Sequence, residues 1–240
     1  MRAIDVTSLE GERYLSGEIF SDYGKFVAPI RATFANRIDC LVELVRGKKI
    51  LHIGFCDHQP LLEERISQGL WLHTHLMRAG TRCVGIDIDK VAVENVSRVT
   101  GIADIFVGDV TQPGLDIITG EKWDVVVFGD VIEHIPDPRN FLNRFLEHYG
   151  KNISSVVISV PNCQRIGAIK GSITNSEMIN SDHTAEYSLF TLAKLANKSG
   201  LEGLNFYFSA YANAPVWKRL ILRLFPRFSD SLIVTGRVKK

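Results

Sequence analysis

The sequence predicts an α/β fold: a doubly wound, mostly parallel sheet covered by helices on both faces. Three observations carry this expectation. From about residue 48 to 161, short apolar runs alternate with segments of helical periodicity, the pattern of strands joined by crossover helices. The run WDVVVFGD at 123–130 is apolar at consecutive positions rather than at every second one, as a strand covered on both sides requires. The chain has 240 residues, 45% of them hydrophobic, enough for one sizeable core.

Residues 1–23 are polar and mixed, an arm expected to lie on the body. The spacing of Ile30, Phe34, Ile38, Leu41 and Val45 predicts a helix over 29–45. KKILHIG (48–54) is the first strand, and a helical region interrupted near Gly69 follows over 60–79. RCVGID is the second strand, 89–99 a helix, ADIFVGD the third strand and WDVVVFGD the fourth. In IPDPRNFLNRFLEHY, Asp137 can cap a helix whose first position is Pro138, where a missing N–H costs nothing. SSVVISVPN is the fifth strand, ended by Pro161. Residues 161–187 form a long polar connection, of the kind that carries function or disorder. SLFTLAKLANKSG is a helix with Ser188 as its cap and Gly200 as its stop. Two last strands, about 203–211 and 231–238, suggest an antiparallel pair at one edge. The expected architecture is therefore a seven-stranded sheet over 47–240, preceded by an N-terminal arm and helix over 1–46. Position alone suggests residues 14–34 as a lid over the ligand edge.

Composition narrows the function. A net charge of +1 provides no global field for nucleic acid, and no nucleic-acid partner is expected. No run of 18 apolar residues occurs. MRAIDVTSLEGERY has no apolar core, so no secretory signal is expected. Cys40, Cys56, Cys83 and Cys163 form no CxxC, which reads as reduced thiols in a cytoplasmic protein.

In a doubly wound sheet, ligands bind outside the carboxyl ends of the strands. Those ends carry Gly54-Phe55-Cys56-Asp57-His58, then Asp87, then Asp109, then Gly129-Asp130, then Pro161-Asn162. Asp87 is placed to accept both hydroxyls of a ribose, or else to cap the next helix. Asp109 could accept from an exocyclic amine of adenine, with the Val110 amide donating to a ring nitrogen; the alternative is a turn-bracing aspartate. Asp130 sits where a reacting group would lie, or braces its loop.

With these residues in place, the chain resembles the class I S-adenosylmethionine (SAM)-dependent methyltransferases over about 48–205. WDVVVFGDVIEHIPDP is the most specific piece, and VVISVPN and DHTAEYSLFTLAKLANKSGL resemble later segments of that family. The resemblance implies a Rossmann-like methyltransferase fold and SAM as cofactor. Its implied cofactor contacts are Gly54, Phe55, Cys56, Asp87, Ile88, Asp109, Val110, Gly129 and Asp130. The opening turn departs from the family's acid followed by Gly-x-Gly-x-Gly. His52 stands for the acid, Gly54 keeps the first glycine, and Cys56 and His58 replace the other two. A Cβ at Cys56 fits if its φ is negative, and a neutral His52 can still accept a hydrogen bond.

Methyl transfer from a sulfonium needs chiefly proximity and orientation. A hydroxyl acceptor also needs a base, and His134, His183 and Asp130 are the catalytic candidates, with Asp182 beside them and Tyr187 expected to line the same pocket. The acceptor expected is a small molecule or a glycan- or lipid-linked intermediate, methylated at oxygen. No metal site is expected: Cys56, His58, His73 and His75 cluster in sequence, but His73 and His75 point to different helix faces. PVWKRLILRLFPRF (215–228) carries an apolar helical face flanked by Lys218, Arg219, Arg223 and Arg227. It reads either as a helix packed on the body or as a peripheral membrane contact. The rival readings are a non-catalytic binding module of the same fold, favoured by the irregular turn, and a nicotinamide-dependent dehydrogenase, which would want Gly-x-Gly-x-x-Gly after the first strand.

Overall fold

The computed structural model describes residues 2–34, 36–57, 59–210 and 215–240. The chain opens with β1 (Ala3–Asp5), α1 (Leu9–Ser16), β2 (Lys25–Val27) and β3 (Ile30–Phe34), followed by α2 (Arg37–Val45). The alternating body then runs β4 (Lys49–Ile53), α3 (Gln59–Ser67), α4 (Leu72–Ala79), β5 (Arg82–Asp87), α5 (Lys90–Thr100), β6 (Ile105–Val107), α6 (Asp116–Thr119) and β7 (Trp123–Gly129). It closes with α7 (Pro138–Tyr149), β8 (Ile153–Pro161), α8 (Ile166–Ile173), α9 (Leu189–Lys198), β9 (Leu201–Ser209), α10 (Val216–Leu224) and β10 (Ser231–Val238).

The main sheet has eight strands in the order β3-β9-β10-β8-β7-β4-β5-β6. From β8 to β6 every pairing is parallel, and β10 runs antiparallel to both β8 and β9. The eighth strand corrects the expected seven. Residues 30–34 extend beside β9, with Thr33 opposite Phe208 and Phe34 opposite Ser209, instead of starting a helix at Pro29. Ile30 and Phe34 lie four positions apart, a spacing that a period of two and a period of 3.6 both accept. The helix begins later, at Arg37, capped by the Asn36 side chain.

The arm is likewise not purely helical. β1 and β2 form a small parallel pair, and α1 runs from a Ser8 cap to Gly17 at φ +81°. Leu15 is fully buried, and the Phe26 ring lies 4.2 Å from that of Phe190 on α9. Leu15 and Phe26 thus anchor the arm on the α9 side of the molecule, and among the described residues before β4 those that line the ligand edge are 36–38, at the start of α2.

Both faces of the central strands are buried, as WDVVVFGD predicts. Val126 and Phe128 enter the larger core with Leu51, Ile86, Leu142 and Phe145, while Val125 and Val127 face the opposite core with Ile50, Cys40, Leu41 and Leu76. α7 begins as read, with the Asp137 carboxylate accepting from Asn140 N–H and Pro138 in the first turn. α9 begins with a reciprocal Ser188–Thr191 capping box. Chain order reverses between β4 and β7, so the crevice opens where their following loops part.

Candidate active site

The turn after β4 is built around bulk rather than glycine. Gly54 keeps the left-handed conformation the family pattern needs, at φ +70°, and a Cβ there would come within 2.5 Å of Val131 Cγ2. Phe55 swings into the interior and fills the space that Gly85 leaves: a Cβ on Gly85 would meet its ring at 2.8 Å. Trp71 braces the turn by donating its indole N–H to the Phe55 carbonyl at 2.9 Å. Cys56 holds a negative φ, so its Cβ is unstrained, and its thiol is buried. Burial and then Asp87 push that thiol's pKa up, so it is no nucleophile at neutral pH. Asp57 takes the next left-handed position at φ +60° and pairs with Arg65. His58 lies outside the described residues. His52 is buried beneath the turn with Nδ1 3.1 Å from Nδ1 of His73. Burial first, then His73 and Arg37, pushes its pKa well down, so it is neutral.

Asp87 ends β5 and faces this turn. One carboxylate oxygen accepts from Cys56 N–H at 3.1 Å and the other from Asp89 N–H at 3.0 Å, which leaves lone pairs on both. The capping role belongs to Asp89, whose side chain accepts from Ala92 N–H. Ile88, beside Asp87, is 70% exposed. Asp109 does not reach the cleft wall: its carboxylate accepts from Thr111 N–H at 2.9 Å and Thr111 Oγ1 at 2.7 Å, bracing its own turn. Val110 turns into the core.

The loop after β7 forms the opposite end. Asp130 takes a left-handed φ of +59°. It accepts from Ser159 Oγ at 2.9 Å and pairs with Arg37 Nη1 at 3.3 Å. A 3-10 turn over Ile132–His134 follows. Glu133 is 0% exposed, and neither of its carboxylate oxygens has a hydrogen-bond partner. Burial, then the Asp130 charge, raises its pKa to about 8. The His134 and His183 rings meet edge-on, 4.7 Å between centroids. His183 is held there because Thr184 donates its N–H and hydroxyl to the Glu133 carbonyl, at 2.8 and 3.0 Å. Burial, then His134, pushes the His183 pKa below the ordinary imidazole range. Tyr187 is instead buried in the core, its hydroxyl without a partner and its pKa raised to about 12 by burial and then Glu133.

A cleft of about 930 Å³ joins these two ends. Of the residues singled out from sequence, Gly54, Phe55, Asp87, Ile88, Gly129, Asp130, His134 and His183 line it. Cys56 contributes its backbone to the turn, and Asp109, Val110 and Tyr187 stay out of the wall. Glu133 and Arg37 are wall residues that sequence reading passed over. Glu133 had a signal: Asp130-x-x-Glu133-His134 places three ionisable groups within one turn after a strand. The cleft fits a nucleoside joined to an amino acid. Its volume lies within the range of cofactor sites. Both glycines mark close approaches, since a Cβ on Gly129 would meet Leu72 Cδ2 at 2.7 Å. Asp87 retains free lone pairs at one end, and Arg37 and Lys218 bring positive charge to the wall.

A doubly wound sheet with a crevice at its carboxyl edge is a Rossmann-like fold. A family model described as a methyltransferase domain matches residues 61–205, starting just past the irregular turn, and the chain belongs to that methyltransferase family. It is a SAM-dependent methyltransferase, with SAM as its cofactor. No curated protein matches the sequence. Among solved structures, the small RNA methyltransferase HEN1 is similar at TM-score 0.54 and 16% identity, over 85% of this chain and 25% of that one. The chain therefore spans about a quarter of HEN1's length. A SAM-dependent methyltransferase from Thermotoga maritima is similar at TM-score 0.53 and 12% identity, over 84% and 87% of the two chains. The methyltransferase domain of a bacterial Hen1 gives TM-score 0.52 and 14% identity, over 85% and 98%. At these identities the structures attest the fold.

Proposed function

We propose that the enzyme methylates an oxygen of a small-molecule or glycan- or lipid-linked acceptor. What supports this reading is the layout of the cleft, with Asp87 at one end and the candidate bases His134, His183 and Asp130 at the other. Bound SAM supplies an electrophilic methyl group on a sulfonium. Asp87 holds the ribose hydroxyls, Ile88 covers the base, and the backbone of Gly54 to Cys56 approaches the amino-acid portion. Gly129 and Asp130 form the floor next to the reacting atoms. An imidazole, that of His183 or His134, takes the acceptor's proton as the oxygen attacks.

The lipid-linked option is supported by the surface beside the mouth of the cleft. Ile166 on α8 and Leu222 on α10 join one small apolar cluster, and the surface around it is apolar. Trp217, Leu220, Leu224, Ile173 and Met178 are all exposed. Arg219 and Arg223 flank that surface, and α10 contains no acidic residue. Such a surface suits an anionic bilayer, and Lys218, Met178 and Ile179 extend from it into the cleft wall. No helix among the described residues is long and apolar enough to cross a membrane. Cytoplasmic residence is supported by the four free cysteines.

The test is calorimetric titration of the full chain with SAM and with S-adenosylhomocysteine. Micromolar binding is expected, weakened more than tenfold by D87A. D87N, which keeps an oxygen acceptor for the turn's N–H groups, separates loss of the ribose contact from loss of the turn. Wild-type binding by both variants would remove Asp87 from the cofactor site. Labelled SAM offered with sugar, lipid-linked and RNA acceptors then identifies the substrate; RNA belongs in the panel because HEN1 shares the fold.

A further inference from the structure

We propose that Glu133, His134 and His183 bind a divalent first-row transition-metal ion at the acceptor end of the cleft. One potential ligand atom from each residue lies within 4.8 Å of the others. Small side-chain adjustments bring such atoms to ~2.1 Å from a common ion. The second observation is Glu133 itself. A fully buried carboxyl group with no partner on either oxygen is costly to leave unpaired, and an ion that meets it offsets that cost. Two wall cations are already engaged, Arg37 by Asp130 and Ser159 and Arg165 by Glu186 at 2.7 Å.

The supporting contacts are those a metal site uses. His134 Nδ1 lies 3.2 Å from the Asp182 carbonyl. That contact holds the orientation of the ring, as supporting contacts of metal-binding histidines do. His183 keeps Nδ1 buried without a hydrogen-bond partner, and the Thr184 hydroxyl, bonded to the carbonyls of both Glu133 and Ile135, ties its loop to the 3-10 turn. Asp130 adds negative charge next to the site without joining the ligand set. Two imidazoles and one carboxylate favour manganese, iron, cobalt or zinc over magnesium or calcium. Three protein ligands leave positions open on the cleft side, where an acceptor hydroxyl would bind and lose its proton more readily. This site goes beyond the acceptor reading above and needs no acceptor to be tested.

The full chain, freed of metal with a chelator, is titrated with Mn²⁺ and followed by electron paramagnetic resonance. One saturable Mn²⁺ per chain is expected. E133Q and H183N should each weaken it at least tenfold, while H75N, a histidine on α4 outside the cleft wall, leaves it unchanged. Each variant's binding of S-adenosylhomocysteine, measured without metal, reports an intact cofactor end. H183N, at a half-buried position, keeps the test open if E133Q fails to fold. No saturable binding to the wild type would overturn the proposal, as would wild-type affinity in a folded H183N or an equal loss in H75N. Cofactor binding by the metal-free wild type is read separately, so failure of the ion site leaves the cofactor site standing.

Discussion

His52 and His73 stack beneath the cofactor turn, 5.3 Å between ring centroids, with one hydrogen bond between them and both Nε2 atoms lacking a partner. Burial lowers the His73 pKa to about 4 and holds that of His52 well below its ordinary value. Unfolded histidine titrates near ~6.5, so between that pH and about 4 the unfolded chain binds more protons than the folded one, and stability falls as pH falls. Above ~6.5 the pair's contribution is fully present. The urea midpoint should drop from pH 6.5 to 4, and drop less in H52L/H73F; equal slopes in the two proteins would show that the pair does not titrate with unfolding. His52 was legible as the replacement for an acid. Its partner was not, because His73 is 21 positions away and only the β4–α4 packing brings them together. Glu133 was hidden for a different reason: it stands inside a recognised segment, and only the 3-10 turn reveals that its side chain goes inward.

At the scale of elements, punctuation was the most readable signal. The Asp137-Pro138 start of α7 and the Ser188 cap of α9 follow from local chemistry and appear as expected. β3 was misread because its apolar spacing satisfies two periods, and the choice was made by the vacant edge of β9. α10 has a clear apolar stripe, but only contacts reveal which side of the helix is covered. Leu222 packs together with Phe228, while Trp217, Leu220 and Leu224 of the stripe stay in solvent. With phosphatidylglycerol vesicles the protein should therefore float, and W217E/L224E should remain in the soluble fraction. Neutral vesicles or high salt should weaken flotation, because the flanking arginines act through a screened field. Wild-type protein that stays soluble with anionic vesicles would refute the membrane contact.

At the scale of the whole molecule, the parallel half of the sheet and its ligand edge were visible in the alternation of strands and helices. The outer order was not, since it depends on which distant segment meets β9. That segment is β3, thirty residues into the chain. Its consequence is protective. β9 is nine residues long, and without β3 one side of it would present unpaired N–H and C=O groups, a template for adding a foreign strand. A chain shortened to begin at residue 36 should scatter light and self-associate on warming at temperatures where the full chain stays clear. If the two behave alike, something other than β3 guards that border. If only the shortened chain associates, the first thirty-odd residues act as a selvedge, keeping the sheet from unravelling into its neighbours.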